Sequence, residues 1–129
     1  LRAMSYHPAT GAMYIPLNLH CETAEFLPVE KREGGGGTGG VRERQNHFHP
    51  DSPGQLGEFQ ALDIRTGETL WKNRRRAPYN TAALTTAGDL VFVGDLDRYI
   101  FAYDAETGRD AGAKPAYDDG ERIPHYVCR

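Results

Sequence analysis

Apolar and polar positions fall into short runs separated by turn residues. Ala12-Met13-Tyr14-Ile15-Pro16-Leu17 is a short continuous apolar run, which reads as a strand buried on both faces. Glu58–Asp63 alternates apolar and polar residues, as a half-buried strand does. Ile64-Arg65-Thr66-Gly67 is a tight turn in which Thr hydrogen-bonds locally and Gly supplies a positive φ, and Glu68–Lys72 is the returning strand. Farther on come Thr81–Thr86, a Gly88-Asp89 turn, a buried strand at Leu90–Gly94, a turn at Asp95–Arg98 and a last strand at Tyr99–Asp104. The pattern predicts antiparallel strands over 4–17 and 58–104.

Residues 31–56 break it. They hold almost no apolar side chains and carry six glycines between Gly34 and Gly40, so the pattern predicts one long, poorly ordered loop. Composition agrees with many short elements: 15 Gly and 8 Pro in 129 residues favour turns over long helices. A net charge of −3 argues against a nucleic-acid partner, because domains that bind polyanions are basic. No run approaches the roughly 18 apolar residues that would span a bilayer. Cys21 and Cys128 are too few for a disulfide framework and are not spaced like zinc ligands.

The chain repeats itself. Ala61–Gly67 and Ala102–Gly108 share the pattern A-x-D-x-x-T-G, and Asp63 and Asp104 are 104 − 63 = 41 residues apart. A period near forty filled by short strands and glycine turns indicates β-propeller blades.

These residues carry a family resemblance. Ala61–Trp71 spells A-x-D-x-x-T-G-x-x-x-W and resembles the tryptophan-docking motif of the PQQ-dependent (quinoprotein) alcohol dehydrogenases, in which the Trp packs between adjacent blades. Residues 77–108 are similar to a blade near the C-terminus of that family, and residues 5–21 to the blade before it. The resemblance implies an all-β fold over 1–108: a partial β-propeller of about two blades from an eight-bladed quinoprotein-type propeller, a fragment of a longer chain.

It also implies a chemistry. Members oxidise alcohols to aldehydes in the periplasm with pyrroloquinoline quinone and a calcium or lanthanide ion, and pass electrons to cytochrome c or another acceptor. A carboxylate base takes the hydroxyl proton, hydride passes to the quinone, and the metal polarises its carbonyl. The segments that supply the base and the metal ligands have no counterpart here, so the chain alone is expected to be inactive. By position in the resemblance, three residues are cofactor contacts: Asn18, which closes the earlier strand, and Asn80-Thr81, just before the T-A-G strand. An amide both donates and accepts, which suits the quinone's carbonyl and carboxylate oxygens. The alternative reading is a non-catalytic propeller of the same repeat type that binds proteins as a scaffold; Asn80 ahead of T-A-G-D-L-V-F favours the enzyme.

Other features have plainer readings. The glycine run lacks the Lys-Ser/Thr and the following helix of a phosphate loop. His47 and His49 lack partners for a metal site, and Asp89 and Asp95 read as turn formers. Cys21 reads as a free or buried thiol. Lys72 with Arg74-Arg75-Arg76 reads as a solvated edge able to meet an acidic electron acceptor.

After Gly108 the second docking motif stops, with Gly112 where Trp is expected, and 109–129 shows no strand alternation. Back-translating from Lys114 with suitable synonymous codons, then reading one base on, yields NPPTTTANGFPITYA, close to the family continuation. The tail is therefore expected to be out of frame and loosely packed, leaving Tyr99–Tyr103 as an unpaired sheet edge.

Overall fold

The computed structural model describes residues 2–28, 34 and 40–116, and over them the chain is strand and turn with no helix. The strands are β1 (Ser5–His7), β2 (Ala12–Asn18), β3 (His20–Phe26), β4 (Val41–Phe48), β5 (Gly57–Asp63), β6 (Thr69–Arg75), β7 (Leu84–Thr85), β8 (Leu90–Gly94), β9 (Tyr99–Asp104) and β10 (Asp110–Pro115). They form two four-stranded antiparallel sheets, ordered β1-β2-β5-β6 and β7-β8-β9-β10, and a separate β3-β4 hairpin. Two successive meanders packed face to face are two blades' worth of a propeller, with neither outer side closed.

The repeat at Asp63 and Asp104 proves to be a pair of matching side-chain turns. Asp63 Oδ1 accepts the amides of Arg65 (2.8 Å) and Thr66 (3.3 Å), and Gly67, at φ +77°, returns its N–H to Asp63 O at 2.8 Å. Asp104 Oδ1 accepts Thr107 N (2.8 Å) and its hydroxyl (2.7 Å), and Gly108, at φ +69°, donates to Asp104 O at 2.9 Å. A short carboxylate that can cap its own turn, followed by a residue free to take positive φ, fixes where each strand reverses. Both carboxyls titrate below their usual value, chiefly because they accept backbone N–H bonds, from Arg65 and from Thr107.

The core lies between the sheets and is aromatic. Tyr14 and Phe59 of the first sheet, Phe101 and Tyr103 of the second, and Tyr79 from the connection are buried. Half-buried Trp71 sits against Phe59, Tyr14 and Tyr103 at centroid distances of 5.6, 5.7 and 6.2 Å. Its indole N–H donates to Ala105 O at 3.0 Å, and Tyr14 Oη donates to the same carbonyl at 2.8 Å. Trp71 therefore joins one sheet to the turn of the next, as the docking motif implies. The inner edges are stapled as well: Thr85 N donates to Ser5 Oγ (3.1 Å), and His7, buried, donates from Nε2 to Thr86 O (3.0 Å).

Two expectations need correcting. Residues 31–56 are not one loop, since Val41–Phe48 form β4, paired with β3 from His20↔Phe48 to Phe26↔Val41. Cross-strand ion pairs support the hairpin, Arg42 to Glu25 at 3.1 Å and Arg44 to Glu22 at 3.2 Å. Most of the glycine run lies outside the described residues. Likewise Tyr99–Tyr103 is not an open edge: β10 pairs along it, from Asp110↔Tyr103 to Pro115↔Tyr99, with a bulge after Asp110. Backbone pairing needs no particular side chains, so a segment without strand alternation still covers the edge. Residues 117–129, with His125 and Cys128, lie outside the described residues.

Candidate functional site

Asn18 ends β2, where it pairs with Gly57 of β5. Its side chain is exposed and no other described residue hydrogen-bonds its amide, so both its donors and its acceptor are available. Beside it opens a cleft of about 580 Å³ lined by His20, Asn46, His47, Phe48, Leu56 and Pro78 as well as Asn18. That volume is in the range of small-molecule sites, and an apolar wall with a few amide and imidazole groups is their usual composition. The β3-β4 hairpin forms one side of this cleft.

Asn80 lies in the connection between β6 and β7. Gly57 packs so closely on the Ala77–Tyr79 backbone that a Cβ there would overlap Ala77 O. This contact ties the register partner of Asn18 to the segment that leads into Asn80. Asn80 is held by its backbone N–H to Gly94 O at 2.9 Å, and its Oδ1 accepts the Arg2 guanidinium.

Thr81 plays a different part. Its Oγ1 accepts Gly94 N–H at 2.7 Å and donates to Ala82 O at 2.9 Å. Its methyl fills the space where a Gly94 Cβ would stand, 2.8 Å away. The hydroxyl thus latches the segment to β8, and Thr81 borders a second concavity with Leu84, Phe92 and Ile100. Asn18 lines the cleft, whereas Asn80 and Thr81 are not among the residues that line it and are both tied by their backbone N–H groups to Gly94 O.

The remaining candidates resolve as local structure. Asp89 turns the chain at φ +57°, and Asp95 Oδ1 accepts Tyr99 N at 3.1 Å. His47 Nε2 shares a hydrogen bond with Thr23 Oγ1 at 3.0 Å, and His49 Nδ1 accepts the Asp51 amide at 3.2 Å. Cys21 is a free, half-buried thiol paired in register with His47. The basic cluster is neutralised from within. Arg74 pairs with Glu58 at 2.6 Å, Arg75 pairs with Asp110 at 2.7 Å and donates to Tyr103 Oη at 2.9 Å, and Arg76 pairs with Asp97. Lys72 and Arg76 are exposed, as a solvated edge requires, while the three arginines each carry an acidic partner that offsets their charge. Burial raises the Tyr79 hydroxyl far above its ordinary range, and it hydrogen-bonds Tyr103 Oη at 2.8 Å. It is a neutral core phenol.

Four cleft residues, His20, Asn46, His47 and Phe48, escaped the pattern because they lie in or opposite the segment taken for loop. The available signal was charge: Glu22 and Glu25 precede the glycine run, and Arg42 and Arg44 follow it. For a tricyclic quinone the residues fit in part, with one free amide, one amide held in place and a cleft of suitable size. For a divalent or trivalent cation they do not fit, since no three His, Cys, Asp or Glu side chains converge among the described residues.

No family model matches the chain. It is 32% identical over 107 residues, 83% of its length, to a quinoprotein ethanol dehydrogenase of Pseudomonas putida. It is 33% identical over 106 residues to a lanthanide-dependent methanol dehydrogenase of Methylorubrum extorquens. These matches take up 16% and 17% of the two enzymes, so the chain spans about one sixth of the length of the curated relatives it matches. Among solved structures, a quinohemoprotein alcohol dehydrogenase of Pseudomonas putida HK5 superposes with a TM-score of 0.68 at 29% identity, over 89% of this chain and 18% of that one. A europium-containing methanol dehydrogenase shares the fold at a TM-score of 0.72, over 88% of this chain and 20% of that one.

Proposed function

The chain belongs to the quinoprotein alcohol dehydrogenase family, and from that premise we propose that it supplies one part of a cofactor site whose catalytic groups lie elsewhere in a longer enzyme. The activity proposed for that enzyme is oxidation of a small alcohol to the aldehyde with pyrroloquinoline quinone. The proposed setting is the periplasm, with cytochrome c or another acceptor taking the electrons. When bound, the quinone serves as hydride acceptor.

The observation that carries the reading is the Asn18 amide, exposed at the end of β2, unpaired among the described residues and facing a cleft of about 580 Å³. Asn18 would hydrogen-bond oxygens of the quinone, donating to one and accepting a proton-bearing neighbour with the other end of the amide. Asn80 would contact the cofactor edge and Thr81 would hold Asn80 there, because its hydroxyl bridges Gly94 N and Ala82 O. The metal's ligands would come from other parts of the longer enzyme, and this chain performs no step through it. On its own the chain is proposed to show no alcohol-dependent dye reduction.

A graft tests the reading. The matched 107-residue stretch of the Pseudomonas putida quinoprotein ethanol dehydrogenase is replaced by the aligned residues of this chain, and PQQ binding and ethanol-dependent dye reduction are measured. Retained turnover that falls at least tenfold on Asn18→Ala, with the melting temperature unchanged, supports the proposal. A folded graft whose PQQ affinity ignores both Asn18 and Asn80 refutes it.

A further inference from the structure

The first and second sheets are laced together where residues 2–7 run alongside residues 80–86 in the same direction. Ala83 N donates to Ala3 O at 3.0 Å, Thr85 N to Ser5 Oγ at 3.1 Å, Thr85 Oγ1 to Tyr6 O at 3.1 Å, and His7 Nε2 to Thr86 O at 3.0 Å. Successive bonds of this kind fix how far one segment is shifted along the other. They therefore decide which side chain stands opposite Asn80. That side chain is Arg2, whose Nη2 donates to Asn80 Oδ1. From the other side, the N–H groups of Asn80 and Thr81 both reach Gly94 O, at 2.9 and 3.3 Å, so the backbone that carries the amide is pinned as well.

The chemistry of the pair is one-sided. A primary amide has a donor end and an acceptor end on a torsion with two broad settings, so an Asn without partners offers either end to a ligand. A guanidinium has five N–H donors, no acceptor, and stays protonated in proteins. Only the carbonyl end of Asn80 can therefore face Arg2. The N–H₂ end is turned elsewhere, and no other described residue takes its hydrogens. Asn18 differs, since nothing among the described residues holds its amide and it can donate or accept.

We propose that Arg2 is a positioning residue of the cofactor site, which holds the Asn80 amide in one setting so that it meets the quinone as a hydrogen-bond donor only. The inference rests on the reading of Asn80 as a contact to the cofactor edge. The group that Asn80 meets is then an acceptor oxygen, a carbonyl or carboxylate oxygen of the quinone. The fixed charge of Arg2 behind the amide polarises its N–H groups toward that oxygen. Arg2 acts through Asn80 and need not touch the cofactor itself. With Arg2 in place the amide is ordered before the ligand arrives. Without it, binding has to order the side chain, at a cost of about fivefold in affinity.

A binding cycle tests this in the graft into the Pseudomonas putida quinoprotein ethanol dehydrogenase, with the grafted segment begun at Arg2. PQQ dissociation constants are measured by absorbance titration, and melting temperatures follow the fold. Arg2→Ala is expected to weaken PQQ about fivefold and Asn80→Ala about tenfold, the worth of one hydrogen bond. The double variant is expected to bind no more weakly than Asn80→Ala alone, because Arg2 then has nothing to hold. Arg2→Lys, which keeps a donor and a charge, should recover most of the affinity. Asn80→Asp keeps the shape and the pairing with Arg2 but has no N–H to give, and should bind at least as weakly as Asn80→Ala. If Arg2→Ala lowers the melting temperature, Arg2→Met, which keeps the apolar stem, replaces it. Unchanged affinity in Arg2→Ala beside a weakened Asn80→Ala overturns the proposal and leaves the reading of Asn80 intact. So does a double variant whose losses multiply, which would make Arg2 a separate contact, and so does full affinity in Asn80→Asp. If Asn80→Ala binds PQQ as the parent graft does, the proposal and that reading of Asn80 fall together, while Asn18→Ala decides independently whether the segment contributes to the site.

Discussion

Truncating Trp71 separates the packing of the docking motif from its hydrogen bond. The ring lies between Tyr14, Phe59 and Tyr103 and rests on Gly108, which has no side chain to hold it off. Buried Trp→Ala changes cost about 3–5 kcal/mol, and because Trp71 is half-buried the lower end applies, about 3 kcal/mol. The indole hydrogen bond to Ala105 O is the smaller part, since that carbonyl keeps the bond from Tyr14 Oη and is not left unsatisfied. Trp71→Phe, which keeps much of the packing, is therefore expected to cost about 1 kcal/mol, a third of the alanine value. At roughly 4 °C per kcal/mol for a chain of this size, the alanine variant should melt about 12 °C lower. Trp71 is the sole tryptophan, so unfolding has to be followed by circular dichroism rather than indole emission. Equal losses in the two variants would mean that the hydrogen bond dominates, and a loss under about 1 kcal/mol for alanine would mean that the ring does not join the sheets.

Other changes follow the same geometry. Gly108→Ala should destabilise by roughly 2 kcal/mol or more, because its backbone sits at φ +69° and a Cβ would stand 2.5 Å from Trp71 Cδ2; urea unfolding reads it, and a neutral result would refute the close approach. Asp63 and Asp104 titrate below their unfolded value, so their contribution is present above the ordinary carboxylate pKa of about 4 and is lost as pH falls through their lower folded values. Stability should therefore drop with acid below about pH 4, less steeply in an Asp63→Asn, Asp104→Asn double variant, and an unchanged slope would count against the turns as its source. Finally, we propose that the coding DNA after about Arg109 continues the blade in the shifted frame; sequencing the locus tests it, and a shifted frame that meets an early stop removes the case.

Several features needed nothing beyond the residues in order. The runs at Ala12–Leu17, Glu58–Asp63, Leu90–Gly94 and Tyr99–Asp104 became β2, β5, β8 and β9 because period-two alternation and apolar runs are local properties of the chain. The Asp–Thr–Gly turns were legible for the same reason, since each rests on a few residues close in sequence, whereas the docking of Trp71 on the Ala105 turn was legible through the motif's resemblance to a known family. The three-dimensional structure decided what depends on distant partners. Val41–Phe48 is a strand because Arg42 and Arg44 meet Glu25 and Glu22 across the hairpin, and hydrophobic patterning carries no trace of that. Asp110–Pro115 is a strand because the β9 edge offers backbone groups that any sequence can pair with. Likewise three adjacent arginines read alike until Glu58, Asp97 and Asp110 arrive from other strands to neutralise them. Asn18 and Thr81 look equally available as letters, yet one amide is free while the other hydroxyl is bonded on both sides. Side-chain periodicity is written along the chain, whereas ladder pairing, charge neutralisation and the availability of a polar group are set by what long-range folding brings alongside.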